Sequence, residues 1–293
     1  MLRGKKRPEE QRNRLAEGSA SEQRKRVPPR ARSSFLVRHI LSSDGHAFVG
    51  RIFDLSIIEM HFETYEELAR HEDCKYVYDV NSEVSSLVRR VESLNLAGNL
   101  LWPEPMPRDF KKVPVSRYEW LTVAADVFLM RYVSVVDCAM LLVNAVFELG
   151  LAAKHCSIPN LQKKRVPERV IQVLQAMLDD QGDLRKERNA RFHHGVERGH
   201  TNDDQTFRIM ALMEHRLGGA SGEDRFGRKL NLERMFREGL VEVQREFNRV
   251  SRRLVRQLNG LYDELSFAFE ERFGPRSRTS THGLRVSGRR STS

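Results

Sequence analysis

The chain's clearest candidate for chemistry is the stretch Arg188, Asn189, Ala190, Arg191, Phe192, His193, His194, Gly195. Arginine is a permanent cation whose fork of N–H donors fits phosphate oxygens. Histidine is the side chain whose ordinary pKa lies nearest neutrality, so it can take or give a proton. One group to hold an anion and one to move a proton are the minimum for phosphoryl chemistry. His193 and His194 follow Arg188 by five and six positions. That spacing alone decides little. A chain with 50 Lys and Arg and 10 His also pairs Arg32 with His39, Arg208 with His215, and Arg276 with His282. Arg188 differs in context: the amide of Asn189 beside it, a doubled histidine, a closing glycine, and a long apolar segment upstream.

A helix end must present these groups. Gly195 suits the left-handed position after a helix, and Asp183 can cap a helix start. The expectation is a helix over Pro167–Asp180, a turn at Asp180-Gln181-Gly182, and a short helix from Asp183 to His194. Tyr118–Gly150 carries the strongest helical signal, apolar almost all round except for Thr122, Asp126, Asp137, Asn144 and Glu148. At about 100° per residue those five share one side. The stripe is either a solvent-facing seam or a support in which Asp137 or Asn144 orients Arg188 or a histidine. Arg185, Lys186, Arg188 and Arg191 form a basic cluster, read equally as a solvated face or a phosphate-holding patch, with Arg191 in a supporting role.

The rest of the chain frames this centre. Residues 1–33 are rich in Arg, Glu, Ser and Pro, and they read as a disordered basic arm. Residues 34–101 read as mostly helical: Ala47–Leu55 as strand or helix, Ser56–His71 and Ser82–Leu100 as helices, the latter capped by Asn81 or Ser82. Four prolines mark residues 102–117 as a linker. Asp203–Leu217 reads as a helix, and Lys229–Phe273 as a long amphipathic one that breaks near Gly260 or reaches another subunit. Residues 274–293 read as a disordered basic tail. The fold class is therefore all-α.

Charge and cysteines narrow the function. Of the +10 formal charge, residues 1–32 carry 11 basic and 4 acidic side chains and residues 273–293 carry 5 basic and none acidic, leaving the body near neutral. On that count the folded body has no general nucleic-acid-binding face, and tethering falls to the tails. Cys74, Cys138 and Cys156 are odd in number and not spaced as metal ligands, which suggests a reduced, cytoplasmic protein. No secretory signal and no membrane span are expected. A zinc site from His193, His194, His200 and His215 is disfavoured, because adjacent histidines on a helix point apart and no HExxH pattern is present. No GxxxxGK loop offers a nucleotide cradle either. No metal and no cofactor are expected.

The arrangement resembles the HEPN superfamily (higher eukaryotes and prokaryotes nucleotide-binding) over about Tyr118–Phe273. Its signature is an arginine, a polar residue, then a histidine four to six positions further on, near a helix end. Arg188 matches the arginine, Asn189 the polar residue, and His193 or His194 the histidine. The resemblance implies an up-and-down helical bundle over 118–273, extended at the N-terminus. It also implies a metal-independent endoribonuclease that dimerises to build its site from two subunits. Such enzymes act as toxins, in phage defence or in RNA processing, and the implied partners are RNA, a second copy of the chain, and an antitoxin or regulatory protein. RNA supplies its own nucleophile, the 2′-hydroxyl. Cleavage would leave a 2′,3′-cyclic phosphate and a 5′-hydroxyl. The other reading is a non-catalytic helical scaffold that binds RNA or protein.

Overall fold

The computed structural model describes residues 36–219, 221–280 and 282–284. The expected arm at 1–33 lies outside the described residues, as do residues 281 and 285–293 of the expected tail. Among the described residues every regular element is helical: α1 Ala47–Ser56, α2 Tyr65–Leu68, α3 Glu72–Leu101, α4 Arg117–Val146, α5 Ile158–Lys163, α6 Glu168–His194, α7 Asp204–Leu217 and α8 Leu232–Thr279. The all-α expectation holds.

Four long helices alternate in direction. The Tyr76 hydroxyl donates to Val146 C=O and the Trp120 indole to Leu100 C=O, so α3 and α4 run antiparallel. Gln181 meets Tyr132 and Arg191 meets Asp126, which sets α6 antiparallel to α4. Gln257 meets Ala176 and Arg253 meets Asp180, which sets α8 antiparallel to α6. α4 lies at the centre, in contact with α3, α6, α7 and α8. One hydrophobic core runs from Leu41 to Leu284 and includes Phe128, Tyr132 and Phe247.

The element boundaries show where local signals were overridden. Ala47–Leu55 resolves as helix, with Phe48, Val49, Ile52 and Leu55 buried along one face. The single helix expected over Ser56–His71 is instead a 3₁₀ turn at Ile57–His61 and the short α2. Phe62 is extended, and the Thr64 hydroxyl accepts the Glu67 N–H to start the chain afresh. α3 begins at Glu72, ten residues before the expected cap, because Cys74, Val77 and Val80 continue the buried seam of Val84 and Leu87. Asn81 caps nothing and donates to Glu59 at 3.1 Å. α3 stops at Leu101, and Trp102, which precedes Pro103, leaves the helical region as pre-proline residues do.

α4 starts with a reciprocal capping box between Ser116 and Glu119 and ends at Val146, short of Gly150. α6 is one helix through Asp180-Gln181-Gly182, not two joined by a turn. Gln181 is buried with its amide on Tyr132 C=O at 2.8 Å, and Asp180 accepts from Gln257 at 2.8 Å. These tertiary bonds outweigh the roughly 1 kcal/mol that a helix-interior glycine costs. Asp183 is consequently an exposed mid-helix residue rather than a cap. α8 neither breaks at Gly260 nor stops at Phe273, and its 48 residues span roughly 70 Å.

Candidate functional site

The motif occupies the last two turns of α6. Gly195 adopts φ 67°, and the N–H groups of Gly195 and Val196 return to the Ala190 carbonyl, which closes the helix after His194. The Gly195 expectation thus holds.

A chain of charges pins this helix end. Arg191, whose side chain is only 5% exposed, forms an ion pair with Asp126 of α4 and bonds Glu187 at 3.3 Å. Glu187 is shared with Arg198, 3.5 Å away, and Arg198 reaches Glu246 of α8 at 2.7 Å. Four segments meet through alternating charges. Burial raises the Asp126 carboxyl pKa; the nearby Arg191 pulls it down but does not win. Asp126, through Arg191, is therefore the stripe residue that holds the end of the motif helix, and Asp137 holds the same helix six residues earlier, through Arg185.

Asp137 bonds Arg185 at 2.5 Å. Asn144 clamps a loop: its amide donates to Leu151 C=O at 3.1 Å and accepts the Leu151 N–H at 3.0 Å. Neither makes a hydrogen bond or ion pair with Arg188, His193 or His194 among the described residues. By the antiparallel register Asn144 lies about four turns from Arg188, roughly 20 Å along the axis.

The basic cluster divides cleanly. Arg185 is held by Asp137, Arg191 by Asp126 and Glu187, and Lys186 lies 3.4 Å from Asp183. Arg188, partly exposed, makes no ion pair among the described residues. Asn189, His193 and His194 are exposed. Because α6 stays helical through His194, His193 lies about 140° and His194 about 240° round the axis from Arg188. Beside them, Phe192 is 45% and Val196 54% exposed.

His200 and His215 lie apart from this helix end. His215 sits against Phe110 C=O. His200, 7% exposed, packs edge-on against Tyr118. The Thr122 hydroxyl donates to Tyr118 C=O, so it must accept from the His200 Nε2–H at 3.2 Å. His200 Nδ1 is then a bare, buried lone pair. Burial lowers the His200 pKa to about 4, with Arg198 and Arg191 adding to the fall and Asp204 opposing it. His200 is a neutral wedge under the loop after α6. Among the described residues no three His, Cys, Asp or Glu side chains gather to hold a metal ion, and no helix is long and apolar enough to cross a membrane.

Sequence reasoning missed Glu187, Arg198 and Glu246 as anchors. The Glu187–Arg191 spacing of four was a readable helix pair, but the contacts of Arg198 depend on a loop fold that spacing does not show. Comparison with family models, with curated proteins and with solved structures finds no match for this chain.

Proposed function

We propose that the chain is a metal-independent endoribonuclease of the HEPN type, with Arg188, Asn189, His193 and His194 as its reacting surface. The observation that carries this reading is selective commitment. Arg185, Lys186 and Arg191 are each engaged by a carboxylate, and Arg188 alone in the cluster has none among the described residues. An arginine held on a pinned helix end, partly shielded and unneutralised, suits a phosphate that gathers charge in a transition state. A histidine would take the 2′-hydroxyl proton or protonate the leaving 5′-oxygen. The angular divergence on α6 favours a site shared by two copies, in which Arg188 of one faces a histidine of the other. The exposed Phe192 and Val196 beside the motif offer apolar surface for that contact.

The test is incubation of the purified full chain with RNA in EDTA. Cleavage to 2′,3′-cyclic phosphate ends is expected, lost by a hundredfold or more in Arg188→Ala and in His193→Ala or His194→Ala, with melting temperature unchanged. Arg191→Ala is the contrast: removing a buried ion-pair partner should cost on the order of 2 kcal/mol of stability in urea unfolding. Full cleavage by folded Arg188→Ala would sink the assignment and leave the non-catalytic scaffold reading.

A further inference from the structure

The near-neutral body hides a concentrated basic face. Arg245, Arg249, Arg252, Arg253 and Arg256, all exposed, fall within about 100° of the circumference of α8. They lie opposite the buried seam of Phe247, Val250, Leu254 and Leu258. Together with Asn248 and a lip at Leu36 and Val37 they line a cleft of about 550 Å³. Asn248 fixes that lip, donating to Val37 C=O at 2.8 Å and accepting the His39 N–H at 2.8 Å.

The face is under-neutralised. Arg245 pairs with Glu242 and Arg253 with Asp180 at 3.3 Å. Arg249 has only a 3.9 Å contact to Glu246, whose closer partner is Arg198 at 2.7 Å. Arg252 and Arg256 make no ion pair among the described residues, and the Arg256 Nε–H instead donates to the Arg252 carbonyl. The field reaches His39, whose pKa is lowered by burial first and by Arg252 second.

The shape suits a linear polyanion. From Arg245 to Arg256 the face runs roughly 16 Å, long enough to meet several consecutive phosphates of one strand. Among the described residues no aromatic side chain lines the cleft, so the contacts argued here fall on phosphates and do not read sequence. A lipid surface is flat and would meet the outer arginines but not a concave run. The antiparallel register brings Arg249 and Arg245 level with the last turns of α6, so a strand in the cleft heads for Arg188.

We propose that this arginine-lined cleft on α8 holds the phosphodiester backbone of single-stranded RNA, independently of sequence, and leads it to the α6 terminus. The choice of RNA rests on the ribonuclease reading; the presence of an anion-holding cleft does not.

The experiment uses the full-length Arg188→Ala chain, a fluorescein-labelled RNA of mixed sequence and anisotropy in EDTA across a salt series. Adding Arg249→Gln, Arg252→Gln and Arg256→Gln should weaken binding about tenfold or more. It should also make the slope of log K against log salt shallower by about two, at about 0.7 per lost single-strand phosphate contact. A control triple with the same charge change, Arg70→Gln, Arg89→Gln and Arg169→Gln, all exposed, should bind within twofold of the parent. Equal effects of the two triples, or none from the cleft triple, would overturn the proposal. So would cleft-dependent capture of anionic phospholipid vesicles without RNA binding. Melting curves check that all variants fold. If the cleft triple loses RNA but the unaltered chain never cleaves it, the cleft stands and the ribonuclease reading falls.

Discussion

His200 and Arg188 show how two polar side chains twelve residues apart take opposite fates. Arg188 keeps its access to solvent, whereas His200 is desolvated, tied to Thr122 through Nε2 and kept neutral. Its folded pKa of about 4 lies below the ordinary value near 6.5. Between those values the unfolded chain binds a proton that the folded chain refuses, so stability falls as pH drops through this window. Above 6.5 the histidine contributes no pH dependence. The loss attributable to His200 is about 3 kcal/mol by pH 4. Half-buried Asp126, Glu59 and Glu83, whose carboxyl pKa values are raised by desolvation, push the other way at low pH. Comparing the chain with His200→Leu isolates the histidine: urea unfolding at pH 7 and pH 4.5 should show a smaller acid loss in the variant. An identical acid loss in both proteins would contradict this account.

At the scale of elements, α6 is the decisive piece, because its continuity carries the motif to a helix end clamped by α4 and α8. Gly182 lies mid-helix with open space around a prospective Cβ. Gly182→Ala should therefore stabilise the chain by about 0.5–1 kcal/mol, seen as a raised melting temperature. A chain that turned at 180–182 would be destabilised by the same change. α8 shows the reverse economy. Arg245–Arg249, Arg249–Arg253 and Arg252–Arg256 are like charges one turn apart, each costing about 0.2–0.5 kcal/mol. A bound anion would relieve that repulsion.

For the whole molecule the question is how a guanidinium and an imidazole on diverging faces of α6 come to share one phosphate. The proposal of a site built across two copies makes a specific forecast. Arg188→Ala and whichever histidine variant is inactive should each fail alone, yet recover about a quarter of full activity when mixed and allowed to exchange, since half the dimers are mixed and each holds one intact site. No recovery despite exchange, with exchange verified by differently tagged chains, would place both groups in one copy.

Much of this was legible in the residue order. The 3.6-residue apolar seams dictate a helical protein, since only that periodicity buries Leu121, Phe128 and Val135 of α4 together. Gly195 marks a helix end because a left-handed φ of 67° favours a residue without a side chain. The arginine run at 245–256 was also readable as one helix face, but summing charge over the whole body concealed it. Tertiary structure decided the rest. Whether Asp180-Gln181-Gly182 turns or continues depends on Tyr132 and Gln257, far away in sequence, and local propensity differs by too little to choose. Which arginine of the motif stays free was likewise set by where Asp126, Asp137 and Glu187 arrive in space. A charge chooses its partner by distance through the fold, and spacing along the chain does not contain that distance.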